Sequence, residues 1–311
     1  MTRMTQVKSM QLTGLTAAAF TPMNSDAKPD IDRIPGLVEH LLRDGVSALY
    51  VLGSTGEGVS LTLRERQQTA TAFVQAAAGR VPVVVHVGHN SLQEAQTLAK
   101  HAQQIGASAI SAVPPCYFRP DTTRSLVDCL ATITVGAPDL PFYYYHIPAK
   151  TGVELDLNDF LRLASRQLPS LVGVKFSDTR LHAVSACAYT EKYDFLCGVD
   201  EMLLSAWTTG MRGAVGTTYN FAAPLYNRLI DCCERGRMEE AQHYQECAST
   251  MINVILKTCG RPGFKAVMGL IGQDCGPHRL PHSTATPAQI SELHQALETI
   301  GFFEWGRIHT N

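Results

Sequence analysis

The chain has 311 residues, enough to bury a large core as one large domain with an appendage or as two ordinary domains. Apolar residues make up 45% and charged residues 17%, which argues against an intrinsically disordered chain. A formal net charge of -2, with no long run of one sign, gives no reason to expect nucleic acid or an anionic membrane as a partner. The first twelve residues lack an apolar signal core, and no stretch has 18 consecutive apolar residues, so a cytoplasmic location is expected. Nine cysteines, an odd number without a CxxC pair, read as reduced thiols.

Along the chain, short β-branched apolar runs alternate with segments of helical spacing. The runs cover residues 15–20, 48–52, 81–87, 109–113, 140–145, 171–176, 193–197 and 213–216. Between the first two, residues 32–44 place Ile34, Leu37, Val38, Leu41 and Leu42 on one helical face. Thr62 with Glu65 three residues later reads as a capping box, and Asn90 or Ser91 as the cap of a helix over 91–105. Gly45, Gly79 and Gly106 sit where helices should stop. Eight such units predict an α/β protein, a closed (β/α)8 TIM barrel. An open doubly wound sheet would want GxGxxG after its first strand, where Phe20-Thr21-Pro22 stands instead. The barrel should occupy residues 1–232 and carry the active site. Residues 233–311 should form a three-helix appendage packed on it, with a long helix over 237–259, a break at 260–263, and helices over 264–271 and 287–300.

In such a barrel, chemistry sits at the C-terminal ends of the strands. Lys175 lies in the apolar run Leu171–Phe176, where burial disfavours an ammonium and favours the neutral amine, the form that attacks a ketone. It is equally a lysine whose charge snorkels outward or pairs with a carboxylate. Tyr145, one strand away, is either a proton relay or an aromatic filling the barrel top; alternation puts Tyr143 and Tyr145 on one face and Tyr144 on the other. The loop Gly53-Ser54-Thr55-Gly56-Glu57-Gly58 offers glycines for close backbone approach, hydroxyls, and the positive end of the following helix, suited to an anion such as a carboxylate or phosphate. No Gly-Lys-Ser/Thr follows, so it is not a nucleotide loop. Asp200 and Glu201 either accept from sugar hydroxyls or cap the next helix. His86 and His89 lack a third ligand at metal-site spacing, so no metal is expected.

Together these segments resemble the dihydrodipicolinate synthase / N-acetylneuraminate lyase family of pyruvate-dependent class I aldolases, over nearly the whole chain. Gly53-Ser54-Thr55-Gly56-Glu57 is similar to that family's carboxylate loop, Tyr145-His146-Ile147-Pro148 to its proton-relay motif, and Gly173-Val174-Lys175-Phe176-Ser177-Asp178 to its Schiff-base segment. Within it, Tyr143-Tyr144-Tyr145-His146-Ile147-Pro148-Ala149, Lys175-Phe176-Ser177-Asp178-Thr179, Gly198-Val199-Asp200-Glu201 and Ala214-Val215-Gly216-Thr217-Thr218-Tyr219-Asn220 resemble the lyase branch. The resemblance implies Lys175 and Tyr145 as catalytic residues. It implies Ser54 and Thr55 on the keto acid's carboxylate, and Ser177, Gly198, Asp200, Glu201 and Thr217 on a hydroxyl-rich arm. It further implies no cofactor beyond the covalent Schiff base on Lys175; sialic acid, pyruvate and N-acetylmannosamine as small-molecule partners; and a homotetramer. Lys150 departs from the lyase branch, which usually has leucine there, while the synthase branch has an arginine for a second carboxylate. Tyr117 is a candidate for the tyrosine that reaches a neighbouring subunit in the synthase branch. A lyase of another 2-keto-3-deoxy sugar acid, a pyruvate–aldehyde condensing enzyme and a non-catalytic keto-acid binder are the competing functions.

Overall fold

The computed structural model describes residues 10–187 and 192–305. Its first half runs β1 (Gly14–Ala18), α1 (Ile34–Arg43), β2 (Ala48–Val51), α2 (Leu63–Ala77), β3 (Val83–His86), α3 (Leu92–Gln104), β4 (Ala109–Ala112) and α4 (Thr123–Thr134). β5 (Phe142–His146) leads through the single turn α5 (Pro148–Thr151) to α6 (Leu157–Gln167). Then come β6 (Leu171–Phe176), α7 (His182–Ser185), β7 (Asp194–Cys197), α8 (Leu203–Thr208), β8 (Gly213–Gly216) and α9 (Tyr219–Glu234). All strand pairs are parallel, each strand pairs with its successor, and β8 pairs back onto β1 to close the barrel.

The strands lie buried on both faces, which is why they read as continuous apolar runs rather than as an alternation with polar residues. Inward-facing Tyr50, Val84, Tyr143, Tyr145, Leu196 and Val215 form the interior cluster. Outward-facing Tyr144, Val174 and Phe176 belong to the larger core under the helices. Period-two geometry thus sends Tyr145 and Lys175, partners in the β5–β6 register, into the barrel and their neighbours out. Gly173 on β6 is required by this layer: a side chain there would run into the Tyr143 ring and the Asp194 carbonyl.

Helix starts follow the sequence closely. Thr62 and Glu65 form the expected capping box on α2. Ser91 caps α3, while Asn90 instead accepts from the backbone N–H groups of Cys116 and Tyr117. Gly45 and Gly106 take positive φ after α1 and α3. After α2 the left-handed turn begins one residue early, at Ala78.

Beyond α9 follow α10 (Met238–Cys259), α11 (Pro262–Leu270), α12 (Pro287–Thr299) and the single turn α13 (Phe302–Trp305). The expected break at 260–263 is narrower than the sequence suggests. Gly260 ends α10 with φ +64, but Pro262 opens α11, because proline at the first helical position gives up an N–H that had no partner. Ala241, Ala248, Met251, Ile252 and Ile255 form the buried face of α10, which packs on α9 and α12. Met238, at the start of the helix, is exposed. Among the described residues no helix is long and apolar enough to cross a membrane.

Candidate active site

Lys175 projects from β6 into the C-terminal mouth of the barrel and is 4% exposed. Its Nζ lies 4.1 Å from the Tyr145 ring centre and 4.2 Å from that of Tyr50, held between two aromatic faces. Both bland readings of this lysine fail in geometry. It does not reach solvent, and among the described residues no carboxylate lies within ion-pair distance. Tyr50 is fixed in turn, its hydroxyl donating to Ser111 Oγ at 3.0 Å and Ser111 donating to the Tyr143 carbonyl at 2.8 Å.

Burial alone would raise the Tyr145 phenol. The charge of Lys175, with polar contacts from Ser54, Ser177 and Lys175, more than offsets that and holds it below its ordinary value. Ser177 Oγ is enclosed and makes no well-aligned hydrogen bond to a protein group. It fits beside β7 because position 198 is glycine; a side chain there would collide with that hydroxyl.

A cavity of about 470 Å³ opens over Lys175. Ser54, Thr55, Tyr145 and Ser177 line it from β2, β5 and β6. Gly198, Asp200, Glu201 and Thr217 complete it from β7 and β8. All nine residues singled out from the sequence therefore meet in one space. Thr55 and Thr217 share a 2.6 Å hydroxyl–hydroxyl bond across the barrel top. The Asp200 carboxylate is buried and accepts from the Thr218 N–H at 2.9 Å and its hydroxyl at 2.7 Å. Burial pushes this carboxyl upward, against the pull of those bonds.

Two expectations about the glycine loop change. A side chain at Gly58 would strike the Leu52 carbonyl and one at Gly56 would crowd the Leu52 backbone, so these glycines seat the loop against the end of β2 rather than open it to a ligand. Helix α2 starts only at Leu63 with its first turn closed by its own capping box, and neither Thr62 nor Leu63 lines the cavity. The hydroxyls of Ser54 and Thr55 remain as the loop's donors. Tyr117 also lies outside the cavity, 79% exposed and edge-on to Phe118. His86 and His89 serve the backbone, accepting from Val113 N–H and Ser91 N–H respectively.

The sequence reading missed what lies beyond residue 232. Ile252 and Leu256 of α10, Arg261 and Phe264 around the start of α11, and His278 and His282 of the following loop all line the cavity. Their attachment point is Glu57, which has a left-handed backbone (φ +56) and a side chain 2% exposed. Its Oε1 accepts from Lys265 Nζ at 3.1 Å and contacts His278 Nδ1 at 3.0 Å; its Oε2 accepts from Arg279 N–H at 2.8 Å. Burial works against the anion, but His278, Lys265 and Arg279 together hold this carboxyl at about 2. Arg279 also grips Glu65 of the capping box through two nitrogens, at 2.7 and 2.8 Å. Lys150 and Arg261 stand at the mouth, and burial and the nearby Arg261 charge lower the Lys150 amine.

Residues 11–300 match the Dihydrodipicolinate synthetase family. The chain belongs to that family. Every cavity residue named above falls within the matched span of this Dihydrodipicolinate synthetase family member. N-acetylneuraminate lyase of Pongo abelii is 38% identical over 302 residues, 95% of this chain and 94% of the relative. The enzyme of that name from Gallus gallus is 39% identical over 297 residues, 93% and 96% of the two chains. Among solved structures, Proteus mirabilis N-acetylneuraminate lyase superposes with a TM-score of 0.91 at 33% identity, covering 94% of this chain and all of the other. The Aliivibrio salmonicida sialic acid aldolase gives 0.90 at 34%, covering 94% and 98%.

Proposed function

We propose that this chain is an N-acetylneuraminate lyase, a class I aldolase that reversibly cleaves sialic acid to N-acetylmannosamine and pyruvate. The observation that carries the reading is the Lys175 amine, buried without a carboxylate partner and set 4.1 Å from the Tyr145 ring in a hydroxyl-lined cavity. The lyase names of the relatives at 36–39% identity support the choice of substrate.

Ser54 and Thr55 take the substrate carboxylate. Lys175 attacks the keto carbon, and loss of water leaves a protonated imine that serves as electron sink. Tyr145 removes the proton from the hydroxyl beyond the bond to be broken. That carbon–carbon bond then cleaves, its electrons pass into an enamine, and the amino sugar leaves as its aldehyde. Protonation of the enamine and hydrolysis of the imine release pyruvate and restore the amine. Asp200, Glu201, Ser177, Gly198 and Thr217 hold the polyhydroxy arm.

Borohydride added with pyruvate should fix a reduced three-carbon adduct on Lys175, located by peptide mass. The parent chain should release pyruvate from sialic acid and Lys175→Ala should not. An adduct elsewhere, or none, overturns the mechanism. The basic mouth formed by Lys150 and Arg261 favours a second reading, a substrate with another anionic group, either a different 2-keto-3-deoxy sugar acid or a pyruvate–aldehyde condensation. Fast turnover of such a compound with sialic acid inert would establish it. The reading also carries a homotetramer, supported by the exposed Tyr117–Phe118 pair and testable by light scattering. It carries a cytoplasmic location as well, supported by cysteines that form no disulfide among the described residues.

A further inference from the structure

The Glu57–His278 pair is more than the loop's attachment requires. Lys265 already balances the charge of Glu57, and Arg279 N–H supplies a third bond. His278 adds a ring that is 11% exposed and forms part of the wall of the Lys175 cavity. An ionised carboxylate only accepts, so the 3.0 Å contact assigns the proton to Nδ1. The other nitrogen, Nε2, is enclosed and has no hydrogen-bonding partner in the protein. Buried polar atoms are paired in the great majority of cases, and one left over on a residue that walls a ligand cavity is a candidate for a partner from the ligand. The ring also borders a second cavity of about 360 Å³ behind α11. His282, with its ring centre 5.8 Å away, lines the Lys175 cavity and not the second one.

We propose that His278 is a substrate-reading residue, its tautomer set by Glu57 and its Nε2 hydrogen-bonded to a hydroxyl on the arm of the bound sugar acid. The inference rests on the functional reading above and adds a contact from the C-terminal segment, 221 residues from Glu57 in sequence. A hydroxyl is the fitting partner. A hydroxyl both donates and accepts, so it can pair with Nε2 whether or not that nitrogen carries a proton. Lys150 and Arg261, which line the same cavity, are the groups for negative charge.

The test compares His278→Phe and His278→Gln with the parent chain. It reads kcat/KM for sialic acid, kcat/KM for a homologue shortened at the hydroxylated end, and the rate of borohydride-fixed pyruvate on Lys175. His278→Phe keeps the bulk and removes the hydrogen bond. It should lower kcat/KM for sialic acid by about ten- to a hundredfold, the worth of one buried hydrogen bond. The shortened substrate should lose less, pyruvate fixation should fall by a smaller factor than cleavage, and His278→Gln should recover part of the loss. Equal loss in cleavage and pyruvate fixation would assign His278 a merely structural role and overturn the inference. Unchanged cleavage of every substrate by His278→Phe would also overturn it. A parent chain that fixes pyruvate but leaves sialic acid intact would instead overturn the substrate reading. The comparison then moves to pyruvate condensation with aldehydes of increasing hydroxyl number. There His278→Phe should flatten the parent's preference, and a parent-like preference overturns the inference.

Discussion

At Lys175 the sequence left an even choice between nucleophile and structural amine, and the surroundings decide the geometry if not the chemistry. Two rings flank the amine, and the phenol of one of them is lowered by that amine's charge. Tyr145→Phe separates the two contributions of Tyr145, because it keeps the ring and removes the hydroxyl. It should lower kcat for cleavage by about 10²–10⁴-fold, the usual worth of a placed proton-transfer group, while pyruvate still traps on Lys175. Turnover close to that of the parent would show that another group moves the proton. A second buried residue carries a pH signature. Asp194 accepts from Tyr143 Oη at 2.9 Å and Leu12 N–H at 2.8 Å, yet burial outweighs both bonds and raises its carboxyl to about 6. The folded chain therefore binds this proton more tightly than the unfolded one, whose aspartate titrates at about 3.9. Its contribution is most favourable below about pH 4 and is lost as pH rises through about 6, a swing of about 3 kcal/mol. Asp194→Asn should flatten the stability profile between those limits in urea titrations, and an unchanged profile would exclude Asp194 as its source.

Helix α2 shows why elements were easier to read than their purpose. The pattern Thr62 to Glu65 is local, and the capping box forms as read. The idea that this helix aims its positive end at a ligand needed a direction, which three to six residues of sequence do not carry. Because the helix start does not line the cavity, Thr62→Ala should cost about 1 kcal/mol of stability and leave KM for the keto acid unchanged. A large rise in KM would reinstate the helix as an anion site. The same distinction applies at α11. Proline in Gly260-Arg261-Pro262-Gly263 reads as a breaker, and it is one for α10, but it also opens the next helix, since the first turn tolerates a residue without an N–H. Strand periodicity, by contrast, separated Tyr143 and Tyr145 from Tyr144 directly, because a period of two fixes relative side-chain direction, and the structure turns the first two inward with Lys175.

Over the whole molecule, the barrel and its strand-end residues were legible and the far wall of the cavity was not. Alternating strands and helices repeat along the chain and announce a barrel. Glu57 with Lys265 and His278 is built from residues 208 and 221 positions apart, and nothing in the local pattern of any of them marks the others as neighbours. Expecting the appendage merely to pack on a finished barrel therefore understated it. Its loop is clamped to the glycine loop by a carboxylate held at about 2, and that stabilisation should persist above the ordinary glutamate value and fade as pH falls toward 2. Lys265→Met removes the cation and leaves Glu57 enclosed. It should cost about 3–5 kcal/mol, the usual penalty for breaking a buried ion pair on one side, and adding Glu57→Gln should return part of that loss. Denaturant midpoints for the two variants would decide it, and strict additivity of the two losses would count against coupling. The clamp also sets an order of events during biosynthesis. Lys175, Tyr145 and the glycine loop leave the ribosome well before His278 does, so a nascent chain holds the Lys175 amine in a bowl that lacks its far wall. The far wall of the cavity is completed only when the last quarter of the polypeptide has been made and has docked.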